Sequence, residues 1–166
     1  SFGGYYFTVR YKTGKNIAGR VAPKLVPWQL GLGGKDPRYI MDDIADVESV
    51  AGAAVEGVVY NNGQSCCAVE RIYVHEKIYD KFVHSYVEQV KKLKSGDPLE
   101  NETDLGPLSR KEQIQFLSGQ IDDALGKGAR LLFGGRQIHK RGYYFEPSVL
   151  VDVDHTMSVM KDESFG

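Results

Sequence analysis

Apolar residues that recur every three or four positions mark a helix burying one face, because an α-helix turns once in 3.6 residues. From Asp46 to about Tyr60, Val47, Val50, Ala51, Ala54, Val55 and Val58 follow that rule. From Glu76 to Lys94, Tyr79, Phe82, Val83, Tyr86, Val87 and Val90 repeat it, and Ser95-Gly96-Asp97-Pro98 stops the helix. Ile114, Leu117, Ile121 and Leu125 make one face of a third helix over Ser109 to Leu125, with Gly128 as its breaker. A weaker helix is expected from Thr13 to about Ala22, limited by Pro23. Short apolar runs lie between these helices: Val26 to Leu32, Arg38 to Met41, Arg71 to Val74, Ala129 to Phe133, and Tyr143 to Val153 with Pro147 inside it. Strands alternating with helices predict crossover units, hence an α/β fold of three αβα layers around a mostly parallel sheet.

The 166 residues suit one domain and leave little room for separate cofactor and catalytic domains. Hydrophobic residues at 42% and charged residues at 26% indicate a globular chain. Lys plus Arg number 21 against 22 for Asp plus Glu, a net charge of -1, so no basic footprint for nucleic acid is present. The apolar runs fall short of the ~18 residues of a membrane span, and no signal-peptide core opens the chain. A membrane partner is therefore not expected. The two cysteines, Cys66 and Cys67, are adjacent, an arrangement that rarely meets disulfide geometry. Free thiols and a reducing, cytoplasmic setting follow. His75, His84, His139 and His155 are scattered, so a metal site is not expected. His75 and His84 read as structural or exposed, and Lys91, Lys92 and Lys94 as a solvated helix end.

The most informative stretch is the loop Asn61-Asn62-Gly63-Gln64-Ser65-Cys66-Cys67, between the first strong helix and the Arg71 strand. Taken alone, a cysteine there has two readings. It is a small buried hydrophobe, as free cysteines often are, or a loop thiolate nucleophile beside a glycine that permits close approach.

Five motifs in order weigh on that choice. They are Leu32-Gly33-Gly34-Lys35-Asp36-Pro37; Asn62-Gly63-Gln64-Ser65-Cys66; Gly96-Asp97-Pro98 followed by Thr103 and Gly106-Pro107-Leu108; Gly142-Tyr143-Tyr144-Phe145-Glu146-Pro147-Ser148-Val149; and Glu163-Ser164-Phe165-Gly166. With them the chain from about Tyr11 to Gly166 resembles part of the catalytic domain of the NAD(P)-dependent aldehyde dehydrogenase superfamily. The resemblance implies a truncated catalytic domain over 11–166, preceded by an atypical segment over 1–10. It makes Cys66, not Cys67, the nucleophile that attacks an aldehyde. It implies NAD or NADP as cofactor, with Glu163 and Phe165 at the nicotinamide-side ribose and ring. Gln113 and Gly33 are further cofactor-side candidates. A hydride leaves the Cys66 adduct, and the thioester is then hydrolysed to a carboxylic acid with help from a general base.

The chain departs from the family pattern at the base. Gly31 occupies the position of the family's general-base glutamate and has no side chain to accept a proton. Phe7-Thr8-Val9-Arg10 stands where a cofactor turn reads F-T-G-S, and Trp28 where a smaller residue is usual. The cofactor-binding half of the family lies outside the matched region. Two functions follow. One is a fragment or derivative of an aldehyde dehydrogenase, inactive as this chain alone. The other is a non-catalytic scaffold or interaction module of the same descent. Strands left without partners would expose a sheet edge and favour a homo-oligomer.

Overall fold

The computed structural model describes residues 3–166, so Ser1 and Phe2 of the expected atypical segment lie outside the described residues. The chain divides into two compact units, Ser1–Gly34 and Lys35–Gly166. The boundary thus falls inside the Leu32 to Pro37 motif, whereas the motif reading separates residues 1–10 from the rest.

In the first unit, strand β1 (Tyr5–Thr8) leads into helix α1 (Tyr11–Val21), and strand β2 (Trp28–Gly31) returns parallel to β1. This is one crossover unit. Its register pairs Tyr5 with Trp28 and Thr8 with Gly31, and Val9 N–H extends the ladder to the Gly31 carbonyl at 2.9 Å. A strand thus occupies four residues, Tyr5–Thr8, of the segment expected to be atypical. Gly14 on α1 lies against Leu32: an added Cβ would sit 2.6 Å from a Leu32 methyl, which would have to shift.

The second unit opens with another crossover. Strand β3 (Asp36–Ile40), helix α2 (Val47–Val59) and strand β4 (Val69–Val74) place β3 and β4 parallel, with Tyr39 opposite Tyr73. The register slips between Asp36 and Pro37, where proline has no N–H to give the ladder. Asp46 starts α2 by accepting from the N–H groups of Glu48 and Ser49 at 3.0 and 3.2 Å. Helix α3 (Tyr79–Lys91) is shorter than its apolar pattern predicts. His75 Nδ1 accepts from Lys77 N–H, and the chain first makes a 3-10 turn over Glu76–Ile78.

Helix α4 (Lys111–Gly126) leads to strand β5 (Arg130–Phe133), then β6 (Gln137–Ile138), β7 (Tyr144–Phe145), β8 (Val149–Val151) and the one-turn helix α5 (Ser158–Lys161). β5 pairs with β8 and β6 with β7, both antiparallel. The α/β class and the parallel crossovers are as expected, and the described residues form four two-stranded ladders. β6 and β7 are joined by residues 139–143 alone, too few for a crossover helix, and this pair fills the connection between β5 and β8.

The core of the second unit is the face predicted for α2 and α3. Ala51, Ala54, Val55, Phe82, Val87 and Val90 are buried against one another, with Ile40 of β3 closing the cluster. On α4 the buried face is wider than the aliphatic pattern. Gln113, Gln120 and Ala124 are buried with Ile114, Leu117 and Ile121, while Leu125 is exposed.

Candidate functional site

Helix α2 ends in a tight reversal that positions the cysteine loop. Asn61, Asn62 and Gly63 have φ of 51°, 54° and 69°, three successive residues in the left-handed region. Asparagine and glycine tolerate that region better than other residues do, which is the physical reason for Asn-Asn-Gly here. Two side chains tether the reversal. Asn62 Nδ2 donates to the Pro107 carbonyl at 3.2 Å, and Gln64 Oε1 accepts from both the N–H and the hydroxyl of Ser109 at 2.9 Å. The Gly106-Pro107-Leu108 motif is therefore a support for the cysteine loop. That segment is held in turn, since Leu108 N–H donates to the Tyr143 carbonyl at 2.8 Å and Tyr144 Oη donates to the Gly96 carbonyl at 3.0 Å.

Both thiols on this loop are exposed, so neither is a small buried hydrophobe. Ser65 Oγ lies 3.3 Å from Cys67 Sγ. Ala68, the next residue, is buried and anchors the start of β4. Gly63 packs directly on the last residue of the chain: an added Cβ would lie 3.0 Å from the carbonyl carbon of Gly166.

Gly166 belongs to the Glu163-Ser164-Phe165-Gly166 motif, which is held by a buried polar cluster. The Lys35 ammonium and the Glu70 carboxylate form an ion pair of 2.5 Å with side chains only 7% and 9% exposed. Lys35 Nζ also donates to Ser164 Oγ at 2.6 Å. Glu70 accepts from the backbone N–H of Ser164 at 3.1 Å and of Phe165 at 3.2 Å. Arg71 donates to the Lys35 carbonyl through Nε at 2.8 Å, which fixes the lysine backbone. Burial lowers the Lys35 pKa from its ordinary value, and the facing Glu70 carboxylate pulls against that shift.

Of the residues singled out in the sequence, Gln113 takes a role the pattern does not suggest. It is 5% exposed, and its Nε2 donates to the Ser164 carbonyl. One turn pair further along α4, Gln120 Nε2 donates to the Asp162 carbonyl at 3.3 Å. Glu163 and Phe165 are half-buried on either side of the buried Ser164. Phe165 has φ of 54°, a conformation that costs a non-glycine residue roughly 1–3 kcal/mol and persists only when its surroundings enforce it. Gly31 ends β2 and is exposed, and an added Cβ there would be 3.1 Å from Thr8 Oγ1. Gly33 is half-buried in the turn after β2. These two glycines belong to the unit Ser1–Gly34, whereas Cys66, Gln113, Glu163 and Phe165 belong to Lys35–Gly166.

Sequence reasoning missed Glu70. The only signal was a carboxylate at the start of a strand whose other residues are apolar or aromatic around Arg71. A cavity of about 190 Å³ in the second unit is lined by Lys35, Glu70, Asn62, Gly63, Ser164 and Gly166 among others. Cys66 does not line it.

The sequence model described as "Aldehyde dehydrogenase family" matches residues 2–166. The chain belongs to the aldehyde dehydrogenase family. The match starts at residue 2 and so takes in the segment that the motifs set apart. The chain is 40% identical over 153 residues to "Succinate-semialdehyde dehydrogenase [NADP(+)]" of Mycobacterium avium (strain 104), covering 92% of this chain and 32% of that protein. It is 37% identical over 157 residues to "3,6-anhydro-alpha-L-galactose dehydrogenase" of Vibrio sp. (strain EJY3), with 92% and 32% covered. Among solved structures, the NAD+ complex of the aldehyde dehydrogenase from Bacillus cereus superposes with a TM-score of 0.94 at 36% identity, covering 99% of this chain and 33% of that one. The chain thus spans about a third of the length of the aldehyde dehydrogenases it matches. Among the described residues, no helix is long and apolar enough to cross a membrane, and no group of three or more metal-ligating side chains is present.

Proposed function

We propose that this chain carries the nucleophile and the nicotinamide-side contacts of an NAD(P)-dependent aldehyde oxidation. The observation that carries the reading is the exposed Cys66 at the end of a loop made rigid by three left-handed residues and two side-chain tethers. A thiol is useful as a nucleophile only when it is accessible and its backbone is held still, because alignment supplies much of the rate.

In this reading the Cys66 thiolate attacks the carbonyl carbon of a small aldehyde, and the backbone N–H of Cys66 faces the developing oxyanion. When bound, the nicotinamide would supply the hydride acceptor needed for this adduct to become a thioester on Cys66. Water then cleaves the thioester, releasing a carboxylic acid and the thiol. The residues fit such a cofactor at one point: Ser164 is buried and anchored while Glu163 and Phe165, on either side, keep part of their surface open. Glu163 and Phe165 would meet the ribose and the ring, and Gln113 acts through the Ser164 carbonyl. Gly33 stays a backbone candidate on the other unit.

The weak step is hydrolysis. With Gly31 at the general-base position, deacylation loses a factor of about 10²–10⁴, and the chain accumulates acyl-Cys66. The test is a chromogenic activated ester such as p-nitrophenyl acetate. A burst of one equivalent followed by little turnover is expected. Cys66→Ala abolishes the burst, Cys67→Ala keeps it, and Gly31→Glu raises the slow phase. A burst that survives Cys66→Ala sinks the assignment of the nucleophile. No burst in the unaltered chain favours the second reading, a non-catalytic module, which the side-chain-less Gly31 and the Val9-Arg10 pair support.

A further inference from the structure

The Glu163 to Gly166 segment is held by a side chain that neither the motifs nor the family match assigns. Glu70 is on β4, four residues after Cys66, and its carboxylate accepts from two consecutive backbone N–H groups, Ser164 and Phe165. Lys35, at the start of the unit, bonds the same carboxylate and the Ser164 hydroxyl, so one cation bridges the clamp and the clamped residue. Gln113 holds the opposite side of Ser164 by its carbonyl. Ser164 is therefore gripped at its N–H, hydroxyl and carbonyl. The next residue, Phe165, sits in the left-handed region, which an isolated chain would leave.

We infer that Glu70, paired with Lys35, is a positioning residue that fixes the backbone of Ser164 and Phe165 and so aims the Phe165 ring at the nicotinamide side of the cofactor. The inference rests on the cofactor reading of Glu163 and Phe165 given above. Three details support aiming over mere packing. A carboxylate accepting from successive N–H groups dictates where those groups point, whereas apolar packing dictates only that space is filled. The grip is on the backbone N–H groups, so it sets the direction of Phe165 through its main chain. Glu70 also lies on the strand that begins directly after the cysteine loop. The nucleophile loop and the cofactor-side segment thereby share one rigid element.

The experiment compares the full chain with Glu70→Gln and with the double variant Lys35→Met/Glu70→Leu. The single variant leaves a buried ammonium without its carboxylate and can fail to fold. The double variant replaces the pair by apolar groups of similar volume, an exchange that is often neutral or stabilising. Two readouts are taken: residue-resolved amide exchange by NMR without cofactor, and calorimetric titration with NAD and with NADP. In the double variant, the Ser164 and Phe165 amides are expected to exchange at least about tenfold faster, with Ala54 and Phe82 unchanged. The cofactor dissociation constant is expected to rise on the order of tenfold to a hundredfold at an unchanged urea midpoint. Unchanged exchange at Ser164 and Phe165 overturns the clamp. Faster exchange with unaltered cofactor affinity overturns the positioning role and leaves a structural contact. If the unaltered chain binds neither NAD nor NADP, the cofactor reading fails and the aiming role falls with it, while the exchange data still decide whether Glu70 grips the segment.

Discussion

Gly63 shows how much of the site depends on single backbone positions. It is the third of three left-handed residues, and its α-carbon faces the backbone of Gly166 rather than a side chain that could move aside. Alanine there costs about 1–2 kcal/mol for the left-handed conformation alone, and the added Cβ would press on a carbonyl carbon at 3.0 Å. Gly52 provides the contrast, because it lies within α2 and an added Cβ would meet nothing within 4 Å. Gly52→Ala should stabilise the chain by roughly 0.5–1 kcal/mol, and Gly63→Ala should destabilise it by more than that. Urea denaturation of the two variants checks both signs. Equal effects would mean that the cysteine loop is not backbone-limited. The same residue scale explains what the sequence left hidden. Asn62 and Gln64 are recognisable as loop polar groups, but their acceptor and donor partners at Pro107 and Ser109 are 45 residues away. Glu70 has no periodicity to announce it, since a buried carboxylate is recognised only by the groups around it.

Helices were the elements most legible in the sequence, because burying one face imposes a long, repeated pattern. The faces of α2 and α3 are those the apolar spacing indicates. Strands β6 and β7 are two residues each, too short to carry a pattern, and α5 is a single turn. On helix α4 the aliphatic pattern marks the buried face, Gln113 stands out only as a cofactor-side candidate, and Gln120, which serves the Asp162 carbonyl, carries no signal. The start of α5 illustrates a contact between elements that no local signal predicts. Its N-terminal Ser158 N–H is taken at 2.7 Å by Asp123 of α4, whose carboxylate also meets Lys127 Nζ at 2.6 Å. The bond to Lys127 and then the Ser158 N–H lower the Asp123 pKa from 3.8 to about 2. A carboxyl group with a depressed folded-state pKa stabilises the fold above its unfolded value and loses that contribution as pH falls through the folded one. Asp123→Asn should therefore lower the melting temperature at pH 7. The gap to the unaltered chain should shrink between about pH 4 and pH 2. A gap that stays constant across that interval would show that the carboxylate charge does not hold α5.

At the scale of the whole molecule, stability is distributed unevenly between the two units. Among the described residues the buried apolar clusters lie within Lys35–Gly166, and Phe82, at 2% exposure, belongs to the largest. The unit Ser1–Gly34 buries little: Val21 is its buried hydrophobic residue among those described, while Tyr6, Phe7, Tyr11, Leu25, Trp28 and Leu32 are exposed. Trp28 is the single tryptophan of the chain and lies on β2, so its emission reports the unfolding of the first unit. Most helical residues belong to the second unit, so far-UV circular dichroism reports mainly that one. Truncating Phe82 to alanine removes a buried ring and leaves a cavity, a change that costs about 3–5 kcal/mol. If each unit unfolds on its own contacts, Phe82→Ala lowers the dichroism midpoint in urea and leaves the Trp28 emission midpoint in place. If the chain unfolds as one cooperative body, both midpoints move together, because coincident transitions are the mark of a two-state chain. The first outcome is expected, since among the described residues the largest cluster is built from residues of Lys35–Gly166. It would also mean that the Gly31 position and the Cys66 loop answer to different stabilities. Restoring a carboxylate at residue 31 would then need the small unit to be folded, whatever the state of the nucleophile.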